Sequence, residues 1–292
     1  MSVSSAPRDT GTRPPPPAPV APRGTAAAVG ARLLAFAESM WRPAILLAAV
    51  FGIWWVVTDR ELVANYLVPK PSDVLGVLSD KWSFLMRQTW VTFYETVIGF
   101  VLAVAIGLLV AVLIVYSRGM DKALYPLVLF AQVIPKIAIA PLLIVWFGLG
   151  FAPKIMLAVL IAFFPVVISG VAGLRSTDPE LLDLSATMGA NAWKTFRKIR
   201  FPNALPHLMA GLKVAVTLAV TGAVVGEFVG ATEGLGYVLI VANGSLDAPM
   251  LFADLLLMSG IGIVLFVVVE VAEALLIPWH ASRRTPVSLT TS

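Results

Sequence analysis

Long apolar runs alternate with short polar segments along most of this chain. Crossing about 30 Å of hydrocarbon takes about 20 apolar residues of helix, and six runs approach that length. They are approximately Trp41–Thr58, Thr89–Tyr116, Ala123–Gly148, Lys154–Leu174, Leu208–Ala231 and Leu251–Pro278. The pattern predicts an all-α integral membrane fold with six transmembrane helices. The third run contains Pro126, Pro135 and Pro141, residues that interrupt helical hydrogen bonding and predict a kink or break beside a cavity or a helix contact. Two shorter amphipathic stretches complete the pattern. Val74, Leu75, Leu78, Trp82, Leu85 and Met86, after Pro69-Lys70-Pro71-Ser72-Asp73, predict a surface helix ahead of the second span. Val238–Ala242, behind Gly234, Gly236 and Tyr237, is apolar but too short to span and predicts a re-entrant or surface helix.

The polar interruption Arg175–Pro206 is of another kind. Asp178 is a good N-cap, Pro179 suits the first helical position and Glu180 complements the helix dipole, so a helix starts there. Gly189 is placed to end it. Asn191 can cap a second helix, with Ala192, Trp193, Phe196 and Ile199 on one face and Lys194, Arg197, Lys198 and Arg200 on the other. Pro202 is expected to stop that helix, and Asn203 or Pro206 to begin the next span. A helix-turn-helix of this size between two spans is where a water-soluble partner docks.

Composition agrees: of 292 residues, 59% are hydrophobic and 13% charged, with a mean hydropathy of +0.89. The chain has no cysteine and two histidines, His207 and His280, far apart in sequence. That excludes disulfides and thiolate metal sites and predicts no metal centre. The net charge of +4 is spread over short loops, so it reads as topology and not as a nucleic-acid footprint. With the N-terminus in the cytoplasm, the inside segments hold Arg118, Lys122, Arg175, Lys194, Arg197, Lys198, Arg200, Arg283 and Arg284, while Thr232–Met250 holds no Lys or Arg. Both termini and the helix-turn-helix are therefore expected in the cytoplasm. Residues 1–40, with Pro14 to Pro17 in a row, are expected to be a disordered tail ending in a short interfacial helix around Leu33, Leu34, Phe36 and Met40. The tail's arginines also resemble the charged end of a signal peptide, but no small-x-small cleavage site follows. Residues 41–280 form the transmembrane domain and 281–292 a cytoplasmic C-terminal tail.

Ionisable residues within a membrane are candidates for function, because an unpaired charge there costs several kcal/mol (about 3 or more). Glu227 stands beside Gly222, Gly226 and Gly230, whose four-residue spacing makes one thin face for close helix approach, within the bundle or at a dimer axis. Lys136 and Gln132 lie in the proline-rich third run, and Glu227, Lys136, Gln132 and Gly226 form the expected pathway set. Glu95, Lys213, Asp254, Glu270 and Glu273 fall nearer run ends and are expected to be hydrated at the surface. No Gly-x-x-x-x-Gly-Lys-[Ser/Thr] loop is present, so the chain is not expected to hydrolyse ATP. A secondary transporter with coupling ions at Glu227 and Lys136 is the competing reading, although no internal repeat supports it.

The interruption also carries a family resemblance. Asp183-Leu184-Ser185, three residues, Gly189, nine residues, Ile199, one residue and Phe201-Pro202 resembles the cytoplasmic signature of binding-protein-dependent ABC importer permeases: Glu-Ala-Ala, three residues, Gly, nine residues, Ile, one residue, Leu-Pro. It keeps the spacing with Asp for Glu, Leu-Ser for Ala-Ala and Phe for Leu. Gln132-Val-Ile-Pro135-Lys136, Pro141-Leu-Leu-Ile-Val-Trp146-Phe-Gly148, Phe163-Phe-Pro165 and Gly234-Leu-Gly236-Tyr237 are similar to the nitrate, sulfonate and taurine branch, which includes permeases for thiamine-pyrimidine and riboflavin-like precursors. The resemblance covers roughly Pro69 to Glu273. It implies a homodimer of six-helix subunits in a bacterial inner membrane, with two cytoplasmic ATPase subunits and an extracytoplasmic substrate-binding protein. Asp183, Leu184, Ser185, Ala186, Gly189, Ala190, Ile199 and Pro202 would then form the ATPase-coupling loop. ATP and Mg²⁺ would sit on the partner, and this chain would bind no cofactor. The third-run motif leans towards the heterocycle-precursor permeases.

Overall fold

The computed structural model describes residues 45–277. The expected tail at 1–40 with its interfacial helix, the C-terminal tail at 281–292 and the start of the first apolar run at 41–44 lie outside these residues. The described chain is helical, with no strand. It separates into two units meeting at Val56 and Val57. Helix α1, Ile45–Asp59, runs across that boundary. At 15 residues the described helix is roughly 22 Å long, short of the bilayer core.

In the second unit, α2 (Pro71–Asp80) leads into α3 (Trp82–Tyr116), followed by α4 (Arg118–Ala131), a 3₁₀ turn at Lys136–Ile139 and α5 (Ala140–Phe147). Next come α6 (Phe151–Arg175), α7 (Pro179–Thr187), α8 (Ala192–Thr195), α9 (Phe201–Phe228), α10 (Leu235–Gly244) and α11 (Ala248–Leu276). Four helices are long and apolar enough to cross a membrane, or five if the bent pair α4 and α5 counts as one span. Among the described residues the six-run reading is thus met by four or five candidate spans, and the described part of α1 is shorter than a crossing.

α6 occupies the middle of the bundle because small residues let two long helices close on it. On α3, Gly99, Ala103, Gly107 and Ala111 recur every fourth residue and are all buried. A Cβ on Gly107 would lie 2.8 Å from Val166, and Gly170 of α6 approaches Ala111 equally closely. α9 packs alongside, where Ala215 and Ala219 share a core with Ala103 of α3 and with Ala162 and Val166 of α6. Apolar lipid gives helices no hydrophobic reason to associate, so such backbone-to-backbone packing supplies the attraction. The outer flank of α11, with Ile263, Val264, Val267, Val268, Val271 and Leu275 exposed, is suited to lipid.

Three local expectations change. The amphipathic stretch expected as one surface helix divides at Lys81, and Trp82, Leu85 and Met86 open the long span α3. Of the three prolines in the third run only Pro135 stands at the break, where the axis turns by 88°. Pro126 is accommodated within α4, and Pro141 falls at the start of α5 where no N–H is required. Finally, Pro202 does not stop the second helix of the interruption. Helical backbone continues from Ala192 to Phe228 through a π-helical bulge, Phe196–Arg200. The bulge is closed by Phe201 N–H donating to Phe196 O, and its extra residue lets the chain absorb a proline that lacks a donor.

Candidate functional site

The polar features gather at the two ends of the bundle. At one end stands the helix-turn-helix. Asp178 caps α7 by accepting from the Glu180 N–H at 2.9 Å, and Asn191 caps α8 by accepting from the Lys194 N–H at 2.8 Å. Between them Gly189 takes φ +71°, a left-handed conformation that side-chain-bearing residues adopt at a cost. There Gly189 N–H donates to Ala186 O and Ala190 N–H to Ser185 O, both at 3.0 Å. That pair of bonds is the Schellman closure of a helix end. The Ser185 hydroxyl lies 3.1 Å from that of Thr195 and ties α7 to α8. Asp183, Leu184 and Ala186 face solvent, and Leu181, Leu184 and Met188, spaced to share a helix face, are exposed, Met188 to 78%. Beneath them Phe196 of the bulge contacts Tyr116, Trp193 and Phe201, so the loop rests on the ends of α3 and α9. Ile199 and Pro202 lie half-buried in the bulge and the first turn of α9.

At the far end Glu227, 1% exposed, accepts from the Thr92 hydroxyl at 2.7 Å and from the Gly236 N–H at 2.5 Å. Thr92 in turn accepts from the Leu235 N–H at 2.8 Å, and the Gln88 side-chain oxygen accepts from the Gly234 N–H at 2.7 Å. Alongside, Lys154 of α6 pairs with Glu95 of α3, at 5% and 0% exposure. The second Glu95 oxygen is buried without a partner.

The expected pathway residues are therefore not brought together. Glu227 belongs to the buried network. Gly226 is pressed against α6, where a Cβ would lie 2.8 Å from the Lys154 Cα. Lys136 stands at the break, its Nζ donating to Gln132 O at 2.7 Å and lying 4.5 Å from the centre of the Phe164 ring. It thereby serves one of the carbonyls left open where α4 ends. Gln132 itself is exposed.

Gly222 and Gly226, expected at a dimer-packing face or within the bundle, close on α6 of the same chain. A Cβ on Gly222 would lie 2.6 Å from the Ala158 Cα, a gap that leaves no room for a second subunit. Gly230 ends α9 at φ +149°, beside Leu149 and Ile144. The expectation of surface hydration also fails for Glu95 and Asp254, both fully buried, Asp254 with neither oxygen partnered. Lys213 and Glu273 form a half-buried pair at 2.6 Å.

Gln88, Thr92 and Lys154 were not singled out in the sequence, and Glu95 was expected at the surface. The signal was available: positions 88, 92, 95 and 96 recur at one-face helical spacing, a polar stripe inside an apolar run. Among the described residues no cluster of His, Asp or Glu could hold a metal.

An apolar helical bundle with spans of this length, an ion pair buried at one end and a capped two-helix loop at the other is built as an integral membrane component. The family described as binding-protein-dependent transport system inner membrane component matches residues 103–279, and the chain belongs to it. It is 38% identical over 77% of its length, and 92% of the relative's, to a probable ABC transporter permease protein of Haemophilus influenzae. It is 35% identical to the formylaminopyrimidine transport permease protein ThiX of Halalkalibacterium halodurans, covering 78% of this chain and 92% of that one. The riboflavin transport system permease protein RibX of Chloroflexus aurantiacus is 37% identical over 82% of this chain and 89% of that one. In fold it resembles a chain of the inward-facing MetNI methionine ABC transporter, with TM-score 0.60, 21% identity, and coverage of 68% of this chain and 98% of that one. The chain is thus the multi-pass, non-catalytic permease subunit of an ABC importer, and ATP hydrolysis belongs to a separate subunit.

Proposed function

We propose that this permease works as a homodimer of six-span subunits in a bacterial inner membrane, with the first apolar run, which includes α1, as the first span. Two ATPase subunits in the cytoplasm hold Mg²⁺ and ATP, and a substrate-binding protein delivers the solute from outside. The domain limits are 1–40 for the tail, 41–280 for the permease and 281–292 for the C-terminal tail, with both termini cytoplasmic. The observation that carries the proposal is mechanical. α7, capped at both ends and tied to α8, offers Leu181, Leu184 and Met188 to a partner, while α8 runs without a break into the span α9. A push on α7 therefore arrives at α9 as a rigid-body movement. In this reading Asp183, Leu184, Ser185, Ala186, Gly189, Ala190, Ile199 and Pro202 are the coupling loop, and Gln132 and Lys136, at the irregular backbone of the broken span, line the pathway.

The solute is a pyrimidine- or riboflavin-type heterocycle in preference to a sulfonate. What supports this is the higher identity to the formylaminopyrimidine and riboflavin permeases, 35% and 37%, than to the aliphatic sulfonate permease of Bacillus subtilis, 29%, or the taurine permease of Escherichia coli, 26%. The coupling is tested with Leu184→Asp and Gly189→Val. Both variants are expected in the membrane at normal levels, with ATPase activity of the purified complex reduced at least severalfold. Unchanged stimulation in both would refute the loop's role. Calorimetry of the cognate binding protein with formylaminopyrimidine, riboflavin and taurine tests the solute.

A further inference from the structure

The first turn of α10 is capped by other helices. A helix begins with N–H groups that have no partner within it, and the N-cap residue here, Gly234, has no side chain to offer. Its donors are met instead from outside: Gly234 N–H by Gln88, Leu235 N–H by Thr92 and Gly236 N–H by Glu227. The acceptors come from two different spans, Gln88 and Thr92 from α3 and Glu227 from α9, and the Lys154–Glu95 pair beside them ties α3 to α6. Gly234 and Gly236 leave no tolerance, because a Cβ on either would collide with the Glu227 carboxylate. Along its length α10 packs Val238 and Ala242 on Leu85 and Met250, and just beyond its other end Asp247, the N-cap of α11, forms an exposed pair with Lys81 at 3.7 Å beside a cleft lined by Phe84, Tyr237, Val241 and Met250.

We propose that α10 is the movable outer gate of the permease and that Gln88, Thr92 and Glu227 are its latch, positioning residues that hold the gate shut until the ATPase cycle pulls α9 away from α3. The reasoning lies in the distribution of partners. Two of the three donors are answered by α3 and one by α9, so a separation of α3 from α9 cannot leave all three satisfied. Undocking is then the response that hydrates both the helix end and the carboxylate, because an N–H or a carboxylate left buried alone is costly. The latch thus converts a relative movement of two spans into the release of a third element. It rests on the transport reading above, whose own test at α7 involves different residues.

The protein has no cysteine, so single reporters are clean. Val238 faces the core from α10 at 3% exposure, and Val238→Cys in the complete transporter, reconstituted with its ATPase, is probed with a membrane-impermeant maleimide. Labelling is expected to be slow without nucleotide and severalfold faster after trapping with ATP and vanadate. Thr92→Val removes the hydroxyl with little change of shape and is expected to raise nucleotide-free labelling towards the trapped rate while the amount of assembled complex stays normal. Labelling that ignores both nucleotide and Thr92→Val overturns the proposal. A second arm keeps the question open to refutation if Thr92→Val assembles poorly. Lys81→Cys with Asp247→Cys, bridged by a short bis-methanethiosulfonate, is expected to lower the ATPase rate severalfold, with recovery on reduction. A bridged transporter that cycles at the parent rate equally overturns it.

Discussion

Lys154 shows how narrowly a charge is tolerated here. Its ammonium bonds one oxygen of Glu95, lies 5.1 Å from the centre of the Phe151 ring and is otherwise enclosed. A buried pair of this kind is weak evidence for stability as a pair, yet removing one member strands the other. Lys154→Met alone is expected to destabilise the protein by roughly 3–5 kcal/mol, whereas Lys154→Met with Glu95→Leu is expected to recover most of that loss. Thermal unfolding of the purified complex in one detergent, run as a double-mutant cycle, measures the difference. A double variant no more stable than Lys154→Met would show that the pair is needed as a pair.

Among the elements, α7 is the one whose limits the sequence announces. Asp178, Pro179 and Glu180 mark its start and Gly189 its end, and each acts through bonds made within a few residues. Asp178→Ala is expected to cost about 1 kcal/mol of local helix stability. Because a frayed α7 yields under load, ATPase coupling should fall more than assembly does, and coupling equal to the parent's would count against α7 as the rigid lever. α9 was not legible in the same way. Pro202 after a short amphipathic helix is ordinarily a stop, and the π bulge that absorbs it depends on Phe196 finding Tyr116 and Phe201, contacts that no local pattern announces. The latch lies between these cases. The stripe Gln88, Thr92, Glu95 and Thr96 is visible in the sequence, but its partners at 154, 227 and 234–236 are distant along the chain and are selected only by the fold.

At the scale of the molecule the two ends differ in charge, and that difference supports the proposed orientation. The helix-turn-helix end carries Arg118, Lys122, Arg175, Lys194, Arg197, Lys198 and Arg200, while the segment at 232–250 on the far end carries Glu233 and Asp247 and no base. The bias that orients membrane proteins acts on Lys and Arg and hardly on acids. The far end as a whole holds bases too, Lys70, Lys81 and Arg87 among them, but fewer than the loop end, which supports the proposed orientation with the helix-turn-helix facing the compartment where ATP is made. Two exposed positions test it, Asn191 at the α8 cap and Ser245 behind α10. In intact cells Ser245→Cys is expected to react with an impermeant maleimide, and Asn191→Cys only after the membrane is permeabilised. The opposite pattern would place α7 out of reach of any ATPase and turn the α10 gate towards the cytoplasm. Both functional proposals therefore depend on this one asymmetry of charge.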